Sequence, residues 1–284
     1  MDASMEATAA RLLELAETDI RTPIPEDTIV AALSSPPFVD ISGTFNTRDL
    51  GKVPGSPLRT SYAYRSGGLD GLDKSGMATL ATTLGVKRVF DLRSEDERKK
   101  APDPEITGIQ NVWLPNIQHD VAVDVDDFSD GAGEEGYRKW YMSLLEAHGP
   151  IFKLILHHVR DRPEEPFLLH CTLGRDRTGI IAGVLLYLAG ANRETMALDY
   201  ILTRLGSEPV RKRMLDHVAD TIGCRDFDTL GVHNLCSLRR TSWDAFVNDL
   251  QEKFGGLEGY IINELDLARE DVEKIKRNLS GQTD

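Results

Sequence analysis

Residues 170–179 read His170-Cys171-Thr172-Leu173-Gly174-Arg175-Asp176-Arg177-Thr178-Gly179, with five residues between the thiol of Cys171 and the guanidinium of Arg177. That spacing suits displacement at phosphorus. The backbone N–H groups of Thr172, Leu173, Gly174, Arg175, Asp176 and Thr178 can curl around a phosphoryl group as a nest. Arg177 can grip two phosphoryl oxygens with a planar fork that lysine does not imitate. A thiolate at Cys171 would attack phosphorus, expel an alcohol or phenol, and leave a cysteinyl-phosphate that water hydrolyses. Thr178 can donate its hydroxyl to the sulfur and ease its departure. His170 is expected to fix the loop through backbone hydrogen bonds rather than to act as a base.

A poor leaving group needs a proton. Asp176 lies inside the loop and is the first choice for general acid, and for base toward the water. Asp120, Asp124, Asp126 and Asp127 stand as alternatives, in an acidic stretch that could fold over the site. The chain has no Trp-Pro-Asp, the mobile-loop acid of many tyrosine phosphatases. The competing reading of Cys171 is a buried core cysteine at a strand end. Gly174, Arg177, Thr178 and Gly179 at these spacings, ahead of an apolar helix, favour the phosphate loop. Cys224 and Cys236 have no such setting and read as ordinary cysteines, and His157-His158 lacks metal-ligand context.

The elements that must position this loop can be read on either side of it. Pro166 to His170 is short and apolar and follows a proline-bounded turn, which predicts a buried strand. Ile180 to Ala189 is apolar almost all round, which predicts a core helix. Its N-terminus faces the loop, where unpaired N–H groups and the helix dipole favour an anion and the thiolate form of Cys171.

This segment resembles the active-site loop of the cysteine-based protein tyrosine phosphatases. Its Asp-Arg-Thr-Gly ending resembles the atypical bacterial and fungal branch, which includes secreted mycobacterial enzymes of broad specificity. Asn46-Thr47-Arg48-Asp49-Leu50-Gly51 is similar to that branch's Asn-Phe-Arg-Asp-Leu-Gly-Gly segment. Tyr64-Arg65-Ser66-Gly67-Gly68-Leu69 and Asp91-Leu92-Arg93-Ser94 are similar to its Arg-Ser and Asp-Leu-Arg segments. Gly256-Leu257-Glu258-Gly259-Tyr260-Ile261 resembles its C-terminal helical signature, so the likeness spans residues 38 to 278. It implies dephosphorylation of phosphotyrosine, with phosphoserine, phosphothreonine or phosphoinositides in some members, and Asp176 as the proton donor. It also implies supporting roles for His170, Asp91, Arg93, Arg65 and Arg48. The branch usually has lysine where this chain has Arg175, and its Asp-Leu-Arg aspartate holds that cation, which implies an Asp91–Arg175 pair. Lys52 stands where the branch has its second glycine.

With 284 residues, 40% of them apolar, one α/β domain with helical additions is expected. The boundaries are residues 1–35 for an N-terminal helical extension and 36–284 for a phosphatase domain with a helical C-terminal part. The formal charge of −13 argues against nucleic acid and against general attraction to anionic membranes. Arg48, Arg65, Arg93, Arg175 and Arg177 would make a local positive pit, the alternative for all but Arg177 being solvated surface. Three cysteines make no disulfide framework, and a working thiolate suits a reducing compartment. The opening residues are acidic and amphipathic, unlike a signal peptide, and Ile180 to Ala191 is too short to span a bilayer. A cytoplasmic enzyme without an integral membrane segment is therefore expected. No metal or cofactor is called for, since Arg177 and the amides supply positive charge.

Strands are expected at Phe38 to Phe45, Ser61 to Arg65, Val86 to Leu92 and Asn111 to Leu114, besides the one before Cys171. Helices are expected at Met1 to Asp19, Asp73 to Leu84, Tyr137 to Ala147, Pro150 to Arg160, Arg193 to Leu205 and Pro209 to Ala219. Trp243 to Phe254, Leu257 to Leu265 and Arg269 to Asn278 follow. Asp124 to Gly136 reads as a mobile acidic connection. The alternation implies a central, largely parallel sheet flanked by helices, with added N- and C-terminal helices and the loop at a strand's C-terminal end.

Three functions fit these residues: a phosphatase for protein phosphotyrosine, alone or with phosphoserine or phosphothreonine; a phosphoinositide or small-metabolite phosphatase, with Arg175 and Arg65 holding a second phosphate; and a non-catalytic phosphate-binding protein. A rhodanese-like sulfur transferase is disfavoured by the Arg177-Thr178-Gly179 exit.

Overall fold

A computed structural model describes residues 3–115 and 123–282 of the chain. Five short strands form one sheet: β1 (Arg48–Asp49), β2 (Ala63–Ser66), β3 (Arg88–Asp91), β4 (Gln110–Trp113) and β5 (Phe167–His170), in the order β1-β2-β5-β3-β4. Only β1 runs antiparallel to its neighbour; β2, β5, β3 and β4 are mutually parallel. Central parallel strands are covered on both faces, and every residue of β2 and β5 is buried. Ser66 pairs with His170 and His170 with Asp91, so three strands end level at one edge of the sheet. The chain leaving each strand at that edge carries one of the sequence segments singled out above.

The helices, in chain order, are α1 (Ala3–Ala16), α2 (Glu26–Leu33), α3 (Lys74–Ala78), α4 (Glu95–Lys100), α5 (Glu134–Asp161), α6 (Asp176–Leu188), α7 (Arg193–Ile201) and α8 (Thr203–Gly206). They continue with α9 (Arg211–Ile222), α10 (Leu230–Cys236), α11 (Arg240–Phe254), α12 (Leu257–Gly259) and α13 (Arg269–Ser280). The core helix α6 buries ten of its residues, Thr178 to Leu186 and Leu188, and sits directly behind the loop. The N-terminal helices pack onto α7 and α8. Among the described residues, no helix is long and apolar enough to cross a membrane.

Several elements differ from the sequence reading. Phe38 to Phe45 is not a strand: it makes one bridge, Phe38 to Arg48, and then turns through Gly43 at φ +83° and Asn46 at φ +58°. Its apolar residues Phe38, Ile41 and Phe45 are buried, so the pattern reports packing rather than pairing. The two helices expected around Gly149-Pro150 are one 28-residue helix, α5, with Pro150 inside it. The carbonyl that loses its donor belongs to Glu146, an exposed residue, so the break in the ladder is not a buried loss. Arg193 to Leu205 divides at Leu202 into α7 and α8.

The acidic stretch is anchored rather than loose. A short 3-10 turn at Val125–Phe128 buries Phe128 edge-on against Tyr137, at 5.1 Å between ring centroids, and Asn234 Nδ2 donates to the Phe128 carbonyl at 2.8 Å. Helices α2, α4 and α10 were not expected. Of these, α4 carries a readable start signal: Ser94 and Glu97 form a reciprocal capping box.

Candidate active site

After His170 the chain turns out of β5 and re-enters helix at Asp176, the first residue of α6. Gly174 takes φ +63°, and a Cβ there would stand 2.3 Å from the Ser66 carbonyl oxygen. Only glycine fits both constraints. The loop's carbonyls are then tied from outside. Gly68 N donates to the Thr172 oxygen at 3.1 Å, Asn46 Nδ2 to the Leu173 and Gly174 oxygens at 3.2 and 3.0 Å, and Arg65 Nη2 to the Gly174 oxygen at 2.7 Å.

A trans peptide points its C=O and the following N–H in opposite directions. Drawing those three carbonyls outward therefore turns the N–H groups of Leu173, Gly174 and Arg175 the other way. Among the described residues, the N–H groups of residues 172–176 donate to no acceptor. Successive amides left without acceptors in such a loop suit an anion. Cys171 is buried at its base and lines a cavity of about 510 Å³.

Arg177 stands at the other end of the loop with 15% of its side chain exposed. Its Nη1 and Nη2 donate to Glu97 Oε2 and Oε1 at 2.6 and 2.7 Å, and Nη1 also to the Leu92 oxygen at 3.2 Å. Thr172 Oγ1 donates to Glu97 as well. Burial pushes the Glu97 carboxyl up, but Arg177 and Thr172 outweigh it and hold the group well below the usual carboxylate range. Glu97 was not among the sequence candidates; the capping-box spacing from Ser94 was the signal that could have found it.

Asp176 lines the same cavity with 14% of its side chain exposed. Its Oδ1 accepts from Tyr141 OH at 2.7 Å and from Arg175 Nε at 2.9 Å. Among the alternative acids, Asp124 caps the 3-10 turn and Asp127 pairs with Lys139 at 2.5 Å; neither they nor Asp126 line the cavity, and Asp120 lies outside the described residues.

The supporting arginines are buried, not solvated. Arg175 is 1% exposed and gives Nη2 to the Leu235 oxygen at 2.8 Å. It does not meet Asp91. Asp91 accepts instead from Arg93 at 2.9 Å through two guanidinium bonds and from Arg98 at 2.9 Å, because α4 brings Arg98 over the end of β3. Arg93 also lies 2.7 Å from Asp103, which in turn lies 3.0 Å from His170 Nε2. Burial raises the Asp103 carboxyl, and His170, Arg93 and Asn111 reverse this, bringing it down to about 2. The Asp91, Asp103 and His170 atoms lie within 4.8 Å of one another, but the guanidinium groups already balance both carboxylates, so the cluster does not suit a cation.

Arg48 and Arg65 converge on Asp199 of α7. Arg48 Nε reaches Asp199 Oδ1 at 2.7 Å, and Arg65 pairs with Oδ2. Burial pushes Asp199 up and the two arginines bring it below the normal range, so it stays ionised. Neither arginine lines the cavity; both act on the loop from behind. Asp199 had no local sequence signal as a site residue; Asn46 opens the Asn-Thr-Arg-Asp-Leu-Gly segment but was not among the candidate site residues. His170 Nδ1 is 3.3 Å from the Cys171 oxygen. Thr178 Oγ1 is buried and makes no hydrogen bond to any described residue, the Cys171 sulfur included.

The remaining walls are mostly apolar, with His217 and Thr221 of α9 as polar members. Trp140 and Leu144 come from α5, Val218 and Ile222 from α9, and Leu235 from α10, while Asp96 and Lys100 of α4 add charged groups to the lining.

The comparisons with known proteins agree with this geometry. The model of the tyrosine phosphatase family matches residues 39–281. A tyrosine-protein phosphatase of Nostoc commune is 29% identical over 221 residues, covering 75% of this chain and 71% of the relative. The triple specificity protein phosphatase PtpB of Mycobacterium tuberculosis is 26% identical over 275 residues, covering 85% of this chain and 99% of the relative. With residues 39–281 of its 284 matched by that model, the chain belongs to the tyrosine phosphatase family and is a phosphatase.

Proposed function

We propose that this phosphatase hydrolyses phosphomonoesters through a cysteinyl-phosphate on Cys171, with protein phosphotyrosine as its main substrate class. The carrying observation is the row of outward-tied carbonyls at Thr172, Leu173 and Gly174, which leaves inward amides above a buried thiol. Those amides and Arg177 hold the phosphoryl oxygens. Cys171 Sγ attacks phosphorus as the P–O bond to the leaving group breaks. Asp176 gives that oxygen its proton, then takes one from the water that cleaves the P–S bond. Negative charge building on the phosphoryl oxygens meets donors already in place. Glu97 aims Arg177; Arg48, Arg65, Asp199 and Asn46 hold the loop; Asp91, Arg93 and His170 hold the strand ends beneath it. No metal or other cofactor enters this scheme.

The aromatic leaving group is supported by the walls. Trp140, Leu144, Val218, Ile222 and Leu235 can cover a phenyl ring, whereas the hydroxyls of an inositol would lose water against them without gaining partners. The name of the mycobacterial relative supports a range beyond one residue type, so phosphoserine and phosphothreonine belong to the proposal as slower substrates. A second phosphate is not favoured at Arg65, which lies outside the cavity and holds Asp199 and the Gly174 oxygen; Arg175 lines the cavity but gives Nε to Asp176 and Nη2 to the Leu235 oxygen, which leaves only its buried Nη1 without a partner among the described residues. We place the enzyme in the cytoplasm, where a thiolate stays reduced, with residues 36–284 as the catalytic domain and residues 1–35 as an added helical layer. The net charge of −13 favours a phosphorylated protein or small phosphomonoester over nucleic acid as partner.

The test is turnover of a phosphotyrosine peptide by wild type and Cys171→Ser, with acid quench and mass spectrometry of residues 166–188. Loss of turnover in the variant, with a phosphoryl adduct on Cys171 in the wild type, is expected. Undiminished turnover by Cys171→Ser would sink the mechanism.

A further inference from the structure

Asp176 is held by one oxygen only. Tyr141 OH and Arg175 Nε both donate to Oδ1, at 2.7 and 2.9 Å, and Oδ2 accepts from no described residue. Both donors are buried, while Asp176 keeps part of its surface in the cavity. Each donor is itself anchored. Arg175 gives Nη2 to the Leu235 oxygen at 2.8 Å and lies 3.5 Å from Tyr137 OH. Tyr141 OH is 2.7 Å from Tyr200 OH, and its ring packs edge-on against Tyr137, Tyr200 and Phe246. A phenol has one proton. Since Tyr141 spends its proton on the carboxylate, Tyr200 must donate to Tyr141, so the chain of hydrogen bonds runs Tyr200 to Tyr141 to Asp176.

We propose that Tyr141 and Arg175 are positioning residues for the general acid. They fix the rotation of the Asp176 carboxyl about its Cβ–Cγ bond, with Oδ1 turned inward and Oδ2 carrying the proton toward the leaving oxygen. This rests on Asp176 being the acid. The terminal torsion of an aspartate is broad, and a freely rotating carboxyl would present its proton to the leaving oxygen only part of the time. Two converging donors on Oδ1 remove that freedom, and neither has to move when the proton leaves Oδ2 or returns from water. Arg175 is thereby assigned to the acid, not to the substrate.

The experiment compares two aryl phosphates, p-nitrophenyl phosphate and phenyl phosphate, because only the second has a leaving group that needs the proton. Tyr141→Phe keeps the ring and removes the hydroxyl. Its kcat on phenyl phosphate should fall about tenfold, with less than about a twofold loss on p-nitrophenyl phosphate, a fraction of a full general-acid contribution. In an Asp176→Asn background the same substitution should add no further selective loss. Tyr200→Phe should reproduce the selectivity more weakly, and it provides the reading if Tyr141→Phe does not fold. Equal losses on both substrates, or a selective loss that persists in Asp176→Asn, would overturn the positioning role. Separately, if Asp176→Asn alone costs both substrates equally, the acid assignment falls and this proposal with it.

Discussion

Glu97 meets Arg177 edge to edge, with two bonds of 2.6 and 2.7 Å, and the same carboxylate accepts from Thr172 and from the backbone of Ser94. One side chain thus ties the first turn of α4 to both ends of the phosphate loop. The pair has 15% of the arginine and 23% of the glutamate side chain exposed, so its geometry is worth more than a surface ion pair's.

Replacing Glu97 by Gln should therefore lower kcat/KM for any aryl phosphate by about 10- to 100-fold, since the guanidinium loses its fixed plane. The loss should be indifferent to the leaving group, unlike that of Asp176→Asn. Steady-state kinetics on the two aryl phosphates decide it, and a leaving-group-dependent loss would contradict the assignment.

Asp199→Asn should act mainly on stability. It leaves Arg48 and Arg65 buried, 0% exposed, without their counter-charge. Removing one partner of a buried ion pair costs about 3–5 kcal/mol, so urea unfolding should show an unfolding free energy lowered by that amount, read as a lower midpoint at unchanged slope. A loss below about 1 kcal/mol would mean that the pair is not what holds these arginines.

Gly174→Ala puts a Cβ 2.3 Å from the Ser66 oxygen at a backbone φ of +63°. The loop must shift, and its carbonyls lose their outer donors. Activity should drop at least about 100-fold, with weaker inhibition by orthovanadate or other tetrahedral oxyanions. An alanine variant with near wild-type kinetics would mean that the cup tolerates that displacement.

Acid should destabilise the fold in two stages. Burial, with Arg177 adding to it for His148, brings both His148 and His158 down to about 4. The unfolded chain then binds protons first, at about pH 6.5, so the histidine contribution is complete above that pH. It is lost as pH falls toward 4, at up to about 1.4 kcal/mol per pH unit for each histidine. Glu97 and Asp103 have depressed folded values, so their contribution is present above about pH 4 and is lost below it. Urea midpoints measured between pH 8 and pH 3 check this, and a stability that is flat from pH 7 to pH 4.5 would contradict the histidine assignment.

What the chain disclosed locally concerns residues close in sequence. Cys171 and Arg177, the glycine between them, the strand before and the helix after are within one stretch, and their chemistry follows from spacing. The capping box from Ser94 to Glu97 was equally local and went unread, because nothing near it says that Glu97 faces Arg177, 80 residues away. Periodicity located most helices and failed at Pro150, where tertiary packing on both sides of the proline kept α5 whole. It also mistook Phe38 to Phe45 for a strand, since buried apolar spacing does not distinguish a packed loop from a paired one.

Only the tertiary structure decided where the arginines point. Arg48 and Asp199 are 151 residues apart and Arg65 and Asp199 are 134, and the sequence contains no rule that pairs them. The level ends of β2, β5 and β3 bring Ser66, His170 and Asp91 side by side, a consequence of strand register. Arg175 could by composition have met Asp91 or a substrate phosphate. It turns instead to Asp176 and Leu235, because α5 and α10 bury it and a buried guanidinium must find acceptors where the packing offers them.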